Sequence, residues 1–148
     1  MAITQAICSS FKSELLQGVH DFGSNAAYPP AGGDVFKIAL YTSSATLSSA
    51  TTAYTTSGET TGTGYTAGGA TLTNLGVSLS GTTAYLSFDN YTWSSATISA
   101  AGALIYNTSQ SNKAVAVLSF GATYSSTNGN FTITFPANTS TTAVIILN

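Results

Sequence analysis

Apolar residues recur at every second position in several segments of this chain, and this spacing restricts those segments to extended structure. Phe36, Ile38 and Leu40 alternate with their neighbours, and the same period of two returns in residues 82–90 and 131–135. Alternation of this kind places one face of a strand in a core and the other toward solvent. The abundance of Thr, Val, Ile, Tyr and Phe favours the same pleated structure.

Short turns separate these alternating segments. The dipeptide Asn128-Gly129 predicts a tight turn, and Ser109–Asn112 predicts another. The segments with strand character are 35–41, 70–80, 82–90, 92–98, 103–107, 113–120, 131–135 and 143–147. About eight strands without helical pattern between them predict an all-β, antiparallel sandwich or jelly-roll-like fold. A seven-strand Greek key is equally compatible with the spacing.

The N-terminal segment has a different period. Ile3, Ile7, Phe11 and Leu15 recur every four residues and predict an amphipathic helix. This helix either packs on its own sandwich or docks on a partner, and the sequence leaves both open. The predicted organisation is an N-terminal helical segment over 1–22, a Pro/Gly linker over 23–34 and a single β-sandwich domain over 35–148.

Charged side chains are scarce. They make up 5% of the residues, with three lysines, five acids and no arginine, whereas an ordinary soluble domain has about a quarter. The surface must therefore consist of hydroxyls and amides, or be buried against neighbours, which favours assembly over chemistry.

The same pattern argues against several classes of partner. No basic run is present for nucleic acid, and no apolar stretch approaches the roughly 20 residues of a membrane span. No signal peptide is visible, so the chain is expected to be made in the cytoplasm or exported by a route that it does not encode.

Residue types that carry catalysis or bind metal are isolated in the sequence. His20 is the only histidine and Cys8 the only cysteine, so neither a zinc cluster nor a recognisable catalytic triad is indicated. We expect Cys8 to be a small buried residue and His20 to contact helix carbonyls or pack in a loop. The sequence predicts no catalytic residue, no cofactor and no metal site.

A glycine-rich segment, Gly62–Gly69, lacks the lysine and the following helix of a phosphate-binding loop. It is interpreted either as a loop of demanding backbone conformation at a subunit contact, with Tyr65 as an aromatic anchor, or as a plain surface loop. The candidate interface residues are Ile3, Ile7, Phe11, Leu15, Tyr54, Gly62, Gly64, Tyr65, Gly68 and Gly69.

Four segments together resemble a family of small proteins encoded by tailed bacteriophages. They are Phe11–Phe22, Phe36–Leu47, the Gly62–Gly69 loop and Gly102–Asn107. The similarity covers nearly the whole chain, although Ala101 stands where the family leads us to expect a basic residue.

This resemblance implies a structural component of the virion. Size and fold class are most similar to those of a capsid cement or decoration protein, with the major capsid protein and copies of itself as partners, and with no nucleic acid or membrane partner. A tail or fibre component is an alternative. A carbohydrate-binding module for host recognition is another, with Tyr54, Tyr65, Tyr91 and Trp93 as stacking residues unless Trp93 is buried.

Overall fold

The computed structural model describes residues 2–23 and 33–148. Within these ranges the chain has eight strands, one α-helix and one 3-10 turn. The elements are β1 Ala6–Ile7, α1 Ser9–Leu16, β2 Phe36–Tyr41, β3 Ala70–Thr71, β4 Ser78–Ser80, β5 Thr83–Leu86, β6 Tyr91–Asn107, the 3-10 turn Thr108–Gln110, β7 Lys113–Ile133 and β8 Ile145–Leu147.

The strands form two antiparallel sheets. One has five strands in the order β1-β7-β6-β2-β3, and the other has three in the order β4-β5-β8. Aromatic rings link β2 to the segments that follow β5 and β7: Phe36 of β2 lies 6.0 Å from Phe88, which lies 5.8 Å from Phe135, measured between ring centroids. All three rings are buried. The predicted all-β antiparallel sandwich with an N-terminal helix is confirmed.

The strands are divided differently from the prediction. The segments predicted separately at 92–98 and 103–107 form one strand, β6, which pairs along its length with the 21-residue β7. The hairpin turn between β6 and β7 lies at the predicted position, Ser109–Asn112, where Ser111 and Asn112 both have positive φ.

The turn predicted at Asn128-Gly129 is wrong. Asn128 has a φ of 46°, but its N–H donates to Thr97 Oγ1 and the strand continues beside β6. A second irregularity opens between the pairs Ser119–Gly102 and Tyr124–Ala100. In both places the unusual backbone makes a bulge that bends the long strand and does not reverse the chain.

The predicted N-terminal helix is too long. Residues Ala6 and Ile7 form β1 and pair with Val117 and Ala116 of β7, and the helix begins only at Ser9. Positions 3 and 7 are an even number of residues apart, so they satisfy a period of two as well as a helical stripe. The edge of β7 offers backbone hydrogen-bond partners to this segment. Pairing with that edge favours the extended conformation over the helix.

Close packing holds this segment on the sheet. Ile3 forms a parallel bridge with Leu47. It also lies against Gly102, where a β-carbon would come within 2.8 Å of Ile3 Cγ2. A glycine in β6 therefore makes room for the N-terminus.

The helix packs on its own domain. The Phe11 ring is 1% exposed and lies 4.9 Å from the ring of His20 and 5.9 Å from that of Phe22. Cys8 is completely buried, as the sequence predicts, and burial raises the pKa of its thiol to about 11. Most of the predicted linker, residues 24–32, lies outside the described residues.

None of the helices within residues 2–23 and 33–148 has the length and apolar character that a membrane span requires.

Candidate functional site

The glycine-rich loop closes around the carboxylate of Glu59. Tyr54 donates its hydroxyl to Glu59 Oε2 at 2.6 Å, and Tyr65 donates to Oε1 at 2.8 Å. The Gly68 N–H donates to the same Oε1 at 2.7 Å. Three residues that the sequence separates by up to 14 positions are thus brought together by one acid, which was not among the predicted site residues.

These tyrosines are held inside the loop. The Tyr65 oxygen also accepts the N–H of Leu40 at 2.9 Å, and Tyr54 stacks on Tyr106 with ring centroids 4.8 Å apart. Burial, together with the hydrogen bonds to Glu59, raises the pKa of both the Tyr54 and the Tyr65 phenols above the ordinary value. Neither hydroxyl is poised to ionise or to serve a ligand.

The loop glycines allow close contact with the sheet. Gly62 has a φ of 143°, and a β-carbon there would collide with the carbonyl oxygen of Thr97 on β6. Gly69, with a φ of 71°, lies equally close to the carbonyl of Ile38 on β2. The loop is therefore fastened to the five-stranded sheet, although Gly62 and Gly64 remain exposed.

A second polar cluster joins the helix to the β6–β7 hairpin around two buried residues, His20 and Asn107. Lys113 Nζ donates to Glu14 Oε1 at 2.7 Å, and Glu14 Oε2 lies 2.8 Å from His20 Nε2. His20 Nδ1 lies 3.0 Å from the amide nitrogen of Asn107, which also donates to Asp34 Oδ2 at 2.7 Å.

The hydrogen bonds of this cluster determine which ring nitrogen of His20 carries a hydrogen atom. The Asn107 amide oxygen accepts the N–H of Ser109, so its nitrogen is the donor toward His20. Nδ1 of His20 is then an acceptor, and its Nε2–H donates to Glu14. Partial burial favours the neutral form of Glu14, but the hydrogen bonds from Lys113 and His20 outweigh it and hold its pKa below the usual value.

This cluster fastens the N-terminal segment to the β6–β7 hairpin. The His20 side chain has no exposed surface, so no substrate reaches it in this structure. Within the described residues no group of three or more His, Cys, Asp or Glu side chains is arranged to hold a metal ion.

The predicted N-terminal contact residues pack on the chain's own core. Phe11 is buried, and Ile3, Ile7 and Leu15 are half-buried against the core. Their stripe is not a free helical face, because the first two residues lie in extended backbone. The aromatic set considered for carbohydrate stacking is likewise unsuited, since Trp93 is 5% exposed and lies against Tyr91 and Phe131.

An apolar surface occurs elsewhere, on the three-stranded sheet. Register places Leu79 of β4, Ala84 of β5 and Leu147 of β8 side by side. Two residues along, Leu86 and Ile145 are paired and buried, and residues two apart share a face. The inner face of this sheet therefore extends beyond the core that it covers.

We call this extension the apolar row, comprising Val77, Leu79 and Leu147. Their exposed fractions are 59%, 73% and 53%. The alternation of Val77 and Leu79 with serine is visible in the sequence and predicts a strand. The sequence has no signal for where the opposing sheet ends, so the row was not predicted.

No family model, curated protein or solved structure matches the chain. The resemblance to phage proteins therefore stays a prediction.

Proposed function

We propose that this protein is a non-enzymatic structural component of a phage particle, most simply a capsid cement or decoration protein. The observation that supports this function best is the apolar row on a molecule with very little charge. Three large apolar side chains at the end of one sheet form a surface suited to another protein.

The energetics suit repeated contacts. Covering a leucine side chain contributes about 2 kcal/mol, so a single apolar row gives a weak contact. Many copies bound to a repeating shell add their contacts, because each further attachment is effectively intramolecular. The partners in this proposal are the major capsid protein and copies of this chain, and the location is the virion, after synthesis in the host cytoplasm.

The polar clusters support a structural role. Glu59 and His20 are both hydrogen-bonded to neighbours that fasten loops and the N-terminal segment to the sheets. Their hydrogen bonds contribute stability without leaving a reactive group for a substrate.

The test is the location of the protein in purified particles. Particles from cells that produce this chain are analysed by mass spectrometry and imaged, and the chain is expected on the head in multiple copies. The variant Leu79→Lys is expected to fold but to be depleted from particles, whereas Leu16→Lys, which alters a leucine that is 91% exposed on the helix, is incorporated normally.

Absence of the chain from purified particles would refute the proposal. Location on the tail or a fibre would refute the cement role and leave a structural one.

A further inference from the structure

A groove with a volume of about 890 Å³ lies between the outer part of β7 and the C-terminal residues 142–144. Its lining includes the end of β7 at residues 130–135 and the bulge residues Phe120 and Tyr124. This volume lies in the range of small-molecule sites. None of these residues belongs to the apolar row or to the two polar clusters.

The lining is uncharged and combines aromatic rings with hydroxyls and amides. Phe120, Tyr124, Phe131 and Phe135 supply the rings, and none of the described residues that line the groove is Lys, Asp, Glu or His. A charged ligand would lose hydration there without gaining a partner of opposite charge. The ligand that fits is therefore neutral, with apolar faces and many hydrogen-bonding groups.

Several polar groups at the groove are available to such a ligand. The hydroxyls of Thr132 and Ser125 are not among them, because they are already hydrogen-bonded to the hydroxyls of Thr92 and Ser99. The amides of Gln5 and Asn130, in contrast, are exposed and make no side-chain hydrogen bond to the described residues. Tyr124 is 56% exposed, with its ring inclined at 68° to that of Phe120.

An extended peptide is a poorer fit than a sugar. Among the described residues, β7 beyond Val117 has a strand partner only on its β6 side, which leaves its other edge without one there. Bulges at residues 120–123 and at Asn128 interrupt that edge. Bulges of this kind hinder the continuous backbone ladder that an added strand needs, whereas they do not hinder recognition by side chains.

We propose that this groove binds a neutral oligosaccharide. The apolar face of a sugar ring stacks on the exposed ring of Tyr124, with Phe120 inclined beside it, and the sugar hydroxyls bond to Asn130 and Gln5. Because no ion pair contributes, binding depends little on salt. This site is independent of the proposed place of the protein in a particle.

The experiment uses the full chain on an array of neutral hexasaccharides of glucose, galactose, mannose and N-acetylglucosamine, with sialylated and sulfated glycans beside them. Binding to at least one neutral hexasaccharide is expected, and its dissociation constant is then measured by calorimetry at low and high salt. Tyr124→Ala is expected to weaken that binding about tenfold, and Asn130→Ala to weaken it as well.

Matched variants separate binding from folding. Tyr124→Phe keeps the ring and is expected to retain most of the affinity, and Leu16→Ala, on the remote helix, is expected to leave it unchanged. Circular dichroism checks that each variant is folded.

Three results would overturn the proposal. They are no binding to any neutral hexasaccharide, a preference for the sialylated or sulfated glycans, and equal affinity in the folded Tyr124→Ala variant. An uncharged hexapeptide of alternating threonine and isoleucine that shifts the amide resonances of residues 130–135, where no sugar does, would assign the groove to strand addition instead.

Discussion

At the scale of single residues, three of the few charged residues of this chain, Glu59, Glu14 and Lys113, act as internal fasteners. Glu59 accepts three hydrogen bonds inside the glycine-rich loop, and Glu14 joins Lys113 to His20. A carboxylate that accepts several hydrogen bonds contributes more than a neutral acceptor does. Scarce charge therefore does not mean that each charge is dispensable.

Replacement of Glu59 tests this role. Glu59→Ala leaves Tyr54, Tyr65 and Gly68 without their shared acceptor, and we expect the free energy of unfolding to fall by about 2 kcal/mol. Tyr54→Phe removes one of the three hydrogen bonds and keeps the ring, so we expect the free energy of unfolding to fall by about 1 kcal/mol. Urea denaturation measures both, and an unchanged midpoint for Glu59→Ala would contradict the role.

Glu14 predicts a pH dependence of stability. Its pKa in the folded protein lies below the usual value of 4.5, so its stabilising effect is complete above that value and is lost as the pH falls through the folded pKa. Between pH 5 and pH 3 the wild type is expected to lose more stability than Glu14→Gln.

Urea midpoints across that interval provide the measurement. Asp89→Asn is the control, because Asp89 is an exposed acid that makes no side-chain hydrogen bond to the described residues. Parallel curves for the wild type and Glu14→Gln would show that the carboxylate is not stabilised by its neighbours.

At the scale of elements, the N-terminal segment shows how sheet pairing overrides a local pattern. The spacing of Ile3 and Ile7 suits a helix, yet both residues lie in extended backbone beside β7 and Leu47. Only from Ser9 does the helix form, and its buried residue is Phe11. The element is part of the sandwich, although its period differs from that of the rest.

Two residues on the helix make a matched test. Phe11→Ala is expected to reduce the free energy of unfolding of the isolated protein by about 3 kcal/mol, because the ring is 1% exposed. Leu16→Ala removes a side chain that is 91% exposed, and it is expected to change the free energy of unfolding by less than about 0.5 kcal/mol. Similar losses in thermal or urea unfolding would mean that the helix does not pack as described.

At the scale of the whole molecule, low charge and the apolar row act together. Near the isoelectric point, about 4.8, the small net charge no longer keeps molecules apart. The row then offers the apolar contact through which they associate.

Sedimentation at pH 4.8 and pH 7.5 tests this expectation. The wild type is expected to associate at the lower pH, and Leu79→Lys to remain monomeric there. Leu16→Lys adds the same charge away from the row and is expected to associate as the wild type does. A wild type that stays monomeric at high concentration at pH 4.8 would contradict the prediction.

The sequence alone determined the fold class and the burial of single residues with a strong pattern. Alternation at Phe36, Ile38 and Leu40 predicts a strand with one buried face because side chains in a strand alternate between faces, and these three residues are buried. The prediction that the other face is solvated is wrong, since Ala39 and Tyr41 are buried too and the Tyr41 hydroxyl donates to the Thr55 carbonyl. The isolated Cys8 was correctly predicted as a small buried residue. These features depend on local spacing and polarity, which the sequence contains.

Tertiary structure decided how the strands are joined and which residues meet. Asn128-Gly129 became a bulge because β6 continues beside it, and Glu59 acquired its three donors only when the loop closed on the sheet. The apolar row exists because one sheet extends past the other. Pairing and coverage between distant segments are non-local, so neither follows from the spacing of residues along the chain.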